Sequence, residues 1–171
     1  LTAREWGLRR LFDFTSSYEF VRLFMPVLKS RPQATSILFA DDAGREILLL
    51  RLASGEWRTR ITDVERWGRR QLWGRWADNA NLLGTVWQEA EYDPRDRPWH
   101  RGAMALDPEV PGIFWTDPYL FRTTREPGMS VASRWRLGGR NYVVAFNVKL
   151  SSLSTFTRNM EVGGRGFAAI L

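Results

Sequence analysis

Two short segments gather the residues with the greatest capacity for chemistry. The first is Tyr92-Asp93-Pro94-Arg95-Asp96-Arg97-Pro98-Trp99-His100, and the second is Trp115-Thr116-Asp117-Pro118-Tyr119. Arginines, carboxylates and large rings alternate with prolines. Charges are rarely buried without partners, so this mixture does not make an ordinary core. It suits a pocket in which rings form walls and a few polar groups fix a ligand. Arg97 and the Trp99 indole N–H would hold an anionic group, with Asp117 facing a cation or hydroxyl across the space. A structural alternative stays open, in which Arg97 pairs with a nearby carboxylate and Trp99 packs in the core.

Other chemistries find less support. His100 is the sole histidine and cysteine is absent, so neither a His/Cys metal site nor a thiol nucleophile can be assembled. No metal ligand set and no cofactor are expected. A serine triad would need a nucleophile elbow that the chain lacks, and neither a P-loop nor a Rossmann fingerprint is present. Asp93 and Asp96 could exchange protons, but capping and pairing with Arg95 or Arg97 explain them as well. No catalytic residue is expected, and the chain reads as non-enzymatic.

The chain has 171 residues, 44% of them apolar and 26% charged, which suits one folded domain. Net charge is +6, and Lys29 and Lys149 are the only lysines, so the positive charge is nearly all arginine. Arginine stacks on rings and grips carboxylates and phosphates bidentately. With nine tryptophans, this composition permits anionic small-molecule, nucleic-acid or membrane-surface binding. No run of about 18 apolar residues is present to span a bilayer. The start at Leu1 suggests an excised piece of a longer protein.

The elements that would position these groups follow from periodicity. Residues 1–30 carry apolar residues at three- and four-residue steps, with a capping-box pattern at Ser16–Glu19 and a proline, Pro26, inside. Ser36–Ala40, Glu46–Leu52 and Trp57–Val64 read as three antiparallel strands joined by turns at Asp41–Gly44 and Ser54-Gly55. In the third, Trp57, Thr59 and Ile61 share one face and Arg58, Arg60 and Thr62 the other. Residues 65–81, rich in arginine, tryptophan and glycine, break any period and read as a long loop or irregular hairpin. Gly84–Glu91 is extended. Asp96 is placed to cap a short helix running to about Leu106, with Pro98 in its first turn. Met129–Leu137 and Tyr142–Val148 form a hairpin across Gly138-Gly139. Leu150–Met160 suits a helix, and Gly163–Gly166 leads into an apolar strand at Phe167–Leu171. A helix followed by an antiparallel sheet, without βαβ alternation, is the α+β class.

The two opening segments, with Val143-Val144-Ala145-Phe146-Asn147-Val148-Lys149-Leu150-Ser151-Ser152-Leu153-Ser154, resemble the double Cache (dCache) sensor domains of bacterial receptors. The resemblance covers residues 15–171 in layout and is motif-specific in these three segments. It implies a PAS-like antiparallel sheet with a long N-terminal helix. It also implies three divisions: a helical segment at 1–33, a membrane-distal Cache unit at 34–160, and the start of a membrane-proximal unit at 161–171. In the amino-acid-binding members an aromatic–Arg–Trp–Tyr series grips the carboxylate and a pair of acidic residues holds the amine. Tyr92, Arg97, Trp99 and Asp117 match that pattern. His100 stands where a tyrosine is usual, Trp115 replaces another aromatic, and Asn147 takes the place of the second aspartate. These seven residues are the expected ligand site. An amide attracts an ammonium far less than a carboxylate does, so the ligand expected is a small polar or anionic molecule, such as a carboxylate, rather than an ordinary α-amino acid. The implied setting is an extracytoplasmic sensor, homodimeric in a membrane-anchored chemoreceptor, histidine kinase or cyclase, with no nucleic-acid partner. The alternatives are a polyanion-binding module built on the Arg/Trp segment and an interaction domain whose pocket is filled by Trp115 and His100.

Overall fold

The computed structural model of the chain describes Phe14 and residues 17–151. The readings over residues 1–13, most of the 150–160 helix, the 163–166 glycine step and the strand at 167–171 lie outside the described residues.

Helix α1 (Ser17–Ser30) places Phe20, Val21, Phe24, Met25 and Leu28 on its buried side. These recur at the helical period, and each fully buried large side chain contributes about 1.5–3 kcal/mol of transfer free energy. Pro26 lies within the helix but on its exposed side. Strands β1 (Ala34–Asp41), β2 (Arg45–Arg51) and β3 (Trp57–Asp63) form the expected meander. Gly44 closes its first turn at φ 80° and Gly55 its second at φ 86°, a backbone region that side chains disfavour.

Of the two readings over 65–81, the long loop is overturned and an irregular hairpin forms, with a register shift between Arg75 and Trp76. A one-turn helix, α2 (Val64–Trp67), leads into β4 (Arg70–Trp76), a strand paired with β3 and with β5 (Leu82–Glu89). Gly74 is the reason the periodicity failed. Thr59 Oγ1 and Trp76 Nε1 lie 2.6 and 2.9 Å from where a Cβ would stand, so the strand needs a residue without one here.

A 3₁₀ turn (Pro94–Asp96) and helix α3 (Pro98–Met104) follow. The cap differs from expectation. Asp93 accepts from the Arg95 N–H to start the 3₁₀ turn, and Arg97 is the N-cap of α3 with no side-chain cap bond. Asp96 instead accepts from Arg101 at 2.9 Å. Pro98 fills the first helical position, where no N–H is needed. The short β6 (Phe114–Trp115) and β7 (Tyr119–Leu120) both pair with β8 (Pro127–Leu137), which forms the expected hairpin with β9 (Arg140–Lys149).

The strand order is β5-β4-β3-β2-β1-β9-β8-β6, all antiparallel, with β7 on β8. Helix α1 covers one face over Ile37, Phe39, Ile47, Leu49, Trp57 and Trp135. Helix α3 covers the other, where Trp99 and Ala103 pack on Leu38, Leu48, Leu50, Val143 and Ala145. Both faces of the central strands are buried, which explains the unbroken apolar run Ile47–Leu50. This is the PAS-like α+β arrangement.

Candidate functional site

Side-chain alternation fixes what the α3 face can offer. The register aligns Leu38 with Leu48, Leu48 with Arg60 and Leu38 with Ala145, so these four stand in one row across the sheet. Two residues along, the same face carries Glu46 on β2 and Asn147 on β9. The regular β1–β9 register sets Ser36 opposite Asn147. Above this row lies a cavity of about 30 Å³, lined by Leu38, Leu48, Arg60, Tyr92, Arg97, Trp99, Tyr119, Phe121, Arg122, Thr123 and Asn147. The strands supply its floor, α3 one wall through Trp99, and the 121–123 segment its outer rim.

Two polar arrangements surround the cavity. Glu46 is fully buried, and Arg60 is 3% exposed. Arg60 donates to Glu46 Oε1 through Nε at 3.1 Å and Nη2 at 2.7 Å, and its Nη1 donates to Thr123 Oγ1 at 3.1 Å. Its guanidinium lies 4.0 Å from the centre of the Tyr92 ring. The Tyr92 hydroxyl donates to Glu46 Oε2. Burial, opposed by Arg60 and reinforced by Glu46, holds the Tyr92 phenol well above its ordinary pKa, so it remains a donor. Glu46 is thereby fully engaged.

The second arrangement is neutral. Asn147 Nδ2 donates to Ser36 Oγ at 2.8 Å, and its Oδ1 accepts from Ser130 Oγ at 2.6 Å. The Ser130 and Tyr119 hydroxyls are 2.6 Å apart. Burial raises the Tyr119 phenol, against the pull of its Ser130 hydrogen bond and of Arg97. Arg97 sits over the Tyr119 ring at 5.8 Å, and no carboxylate pairs with it among the described residues. The cavity therefore combines one internally neutralised ion pair, one neutral amide network and two guanidiniums without a carboxylate partner among the described residues, Arg97 and Arg122.

Of the seven expected residues, the fold brings Tyr92, Arg97, Trp99 and Asn147 to this cavity. Trp99 is 1% exposed and serves as core and wall at once. His100 is buried, but its Nε2 meets the Asp41 carbonyl at 3.2 Å instead of lining the cavity. Trp115 is 54% exposed on β6, and Asp117 is exposed between β6 and β7. The polar lining residues outside that expected set are Arg60, Tyr119, Arg122 and Thr123, and Glu46 is the buried partner of Arg60. A carboxylate opening the apolar run Ile47–Leu50, two strand positions from a residue opposite Arg60, was the available signal.

The Arg/Trp segment is largely taken up by the fold. Trp76 is 2% exposed and donates to Thr59 Oγ1 at 2.9 Å. Trp73 lies beneath Arg60 at 5.6 Å, and Arg70 covers Trp87 at 4.5 Å. Among the described residues no cluster of His, Asp and Glu could hold a metal ion, and no helix is long and apolar enough to cross a membrane.

No protein-family model matches the chain. Two curated relatives are methyl-accepting chemotaxis proteins. PctB of Pseudomonas aeruginosa is 30% identical over 83 residues, which is 48% of this chain and 13% of PctB. McpB of Bacillus subtilis is 33% identical over 79 residues, 46% of this chain and 11% of McpB. Among solved structures, the ligand-binding domain of the Campylobacter jejuni chemoreceptor Tlp3 in complex with 4-methylisoleucine is similar with a TM-score of 0.53 at 12% identity, over 92% of this chain and 51% of that one. The extracellular domain of soHK1S-Z6, named as a histidine kinase, gives 0.54 at 11% identity, over 85% and 49%. The chain thus spans about half the length of those sensor domains. A two-faced antiparallel sheet, capped by α1 on one side and by α3 over a small polar cavity on the other, is the Cache-type fold of the ligand-binding domains of bacterial chemoreceptors and histidine kinases.

Proposed function

We propose that this chain is the ligand-binding unit of an extracytoplasmic sensor in a bacterial transmembrane receptor, and that the cavity beneath Trp99 takes a small anion such as a carboxylate. The carrying observation is the charge state of the cavity wall. Glu46, behind the lining residue Arg60, is neutralised by that arginine and hydrogen-bonded by the Tyr92 hydroxyl, Asn147 is an amide, and Arg97 has no carboxylate partner among the described residues. An anion pairs with that guanidinium, whereas an α-ammonium group finds no free carboxylate in the lining. The kinship to chemotaxis receptors supports a sensory role without catalysis. In this reading residues 34–160 form the membrane-distal unit, and residues 161–171 open a membrane-proximal one.

A cavity of about 30 Å³ is far smaller than the roughly 300 Å³ at the low end of ligand pockets. Ligand entry therefore displaces the rim at Phe121, Arg122 and Thr123 and breaks the Arg60–Thr123 hydrogen bond. The ligand shifts the protein toward the open-rim state by its differential affinity for the two states. That change passes through the sheet to α1, and from α1 across the membrane in a dimeric receptor.

The test is a thermal-shift screen of small acids, amines and amino acids on the wild type and on Arg97→Ala. Acids are expected to stabilise the wild type more than the variant. Equal stabilisation of both proteins by a bound acid would remove Arg97 from the site.

A further inference from the structure

Beside the inner cavity lies a larger open cleft of about 380 Å³, lined by Val64, Gly68, Arg69, Glu91, Tyr92, Asp93, Asp96, Arg97 and Arg122. The two spaces share Tyr92, Arg97 and Arg122, so these side chains form the partition between them.

The charges of the cleft are unbalanced. Asp93 is held by Arg95 at 2.6 Å and Asp96 by Arg101 at 2.9 Å. Neither Arg95 nor Arg101 lines the cleft, so both carboxylates are neutralised from outside it. Glu91 is the remaining carboxylate of the lining, with no ion-pair partner among the described residues, and Arg122 Nη2 donates to its backbone carbonyl at 3.1 Å. Against it stand Arg69, Arg97 and Arg122, none of which has a carboxylate partner among the described residues. Guanidinium groups gathered in a concave site are suited to bidentate capture of carboxylate oxygens.

We propose that the cleft is a second anion subsite and that the ligand is a small dicarboxylate. One carboxylate engages Arg97 at the partition, and the other engages Arg69 and Arg122 in the cleft. This rests on the reading of the inner cavity as an anion site and adds a second charge to its ligand. Arg122 has a double part, since it belongs to the rim that must move and to the subsite that would draw it outward.

Calorimetric titration with succinate and with acetate, at low ionic strength, tests the proposal on the wild type, Arg69→Ala, Arg69→Lys and Asn147→Asp. Arg69 lines the cleft but not the inner cavity, and Asn147 lines the inner cavity but not the cleft. The succinate-to-acetate affinity ratio is expected to fall about tenfold in Arg69→Ala, the loss of one charge-assisted contact, and to recover in part in Arg69→Lys. Asn147→Asp is expected to weaken both anions. An unchanged ratio in Arg69→Ala, or no succinate binding to the wild type up to about 10 mM, overturns the cleft proposal. A ratio that falls in Arg69→Ala while Asn147→Asp leaves both anions unaffected upholds the cleft and overturns the inner-cavity reading. The converse result upholds the inner cavity alone.

Discussion

Arg60, which lines the cavity, and its buried partner Glu46 form a pair in which each depends on the other. Removing the cation alone leaves a buried carboxylate beside Tyr92, and losing one partner of a buried pair costs about 3–5 kcal/mol. Urea denaturation of Arg60→Met is expected to show a loss of that size, and the double variant Glu46→Leu/Arg60→Met is expected to regain most of it. An undiminished midpoint for the single variant would mean that the pair is not buried as described. At Asn147 the expected result concerns selectivity. Asn147→Asp supplies the carboxylate that the lining lacks, so thermal shift should show amino acids gaining stabilising power relative to simple acids. His100 is a third residue whose environment is measurable. Burial pushes its imidazole below the ordinary value, although its hydrogen bond to the Asp41 carbonyl and the charges of Glu46, Asp93 and Asp41 pull the other way. The unfolded chain then binds the proton more tightly than the folded one, so stability is complete above the unfolded pKa of about 6.5 and declines as pH falls through it. Melting temperatures recorded between about pH 7.5 and 5.5 should fall more steeply for the wild type than for His100→Gln.

The elements owe their placement to a few close approaches. Gly102 in α3 faces Phe114 of β6 so closely that a Cβ would overlap the ring. Gly102→Ala must displace α3 or β6, and overpacking of this kind costs about 1–3 kcal/mol, which denaturant unfolding can read. Arg134 on β8 closes the other end of α3. Its Nη1 donates to the carbonyls of Met104 and Leu106, and its Nη2 donates to Asn141 Oδ1 at 2.8 Å. These contacts satisfy carbonyls that a seven-residue helix leaves open at its C-terminus. Turn chemistry and alternation made β1, β2, β3 and the β8–β9 hairpin legible in the sequence. Strand β4 was not legible, because Gly74 and the surrounding arginines mask the alternation and only its neighbours Thr59 and Trp76 explain the glycine. The cap of α3 was misread for a related reason: Asp93 and Asp96 are both placed to cap, and tertiary contacts decide between them.

At the scale of the molecule, the sheet separates α1 from the cavity. Leu38 and Leu48 face the cavity, while Ile37, Phe39, Ile47 and Leu49 on the same two strands pack under α1. A ligand that spreads the cavity rim therefore reaches α1 only through the displacement of β1 and β2. Hydrogen exchange is expected to show altered amide protection in α1 as well as at residues 121–123 when an acid binds. Change confined to the rim would argue against transmission through the sheet. Tyr92, Arg97 and Trp99 lie within eight residues of one another, so the sequence alone could mark them as a cluster, and the local chemistry of their prolines sets the short helix that presents them. The sequence likewise determined the turns, the hairpins and the α+β class, because these depend on near neighbours and on the period of two. What only the tertiary structure decided is which distant residues complete the site. The pairing of β9 with β1 carries Asn147 to Ser36, and the packing of the chain over the sheet carries Tyr92 to Glu46 and Thr123 to Arg60. Those partners are joined by strand pairing and packing over long separations, which no local pattern encodes.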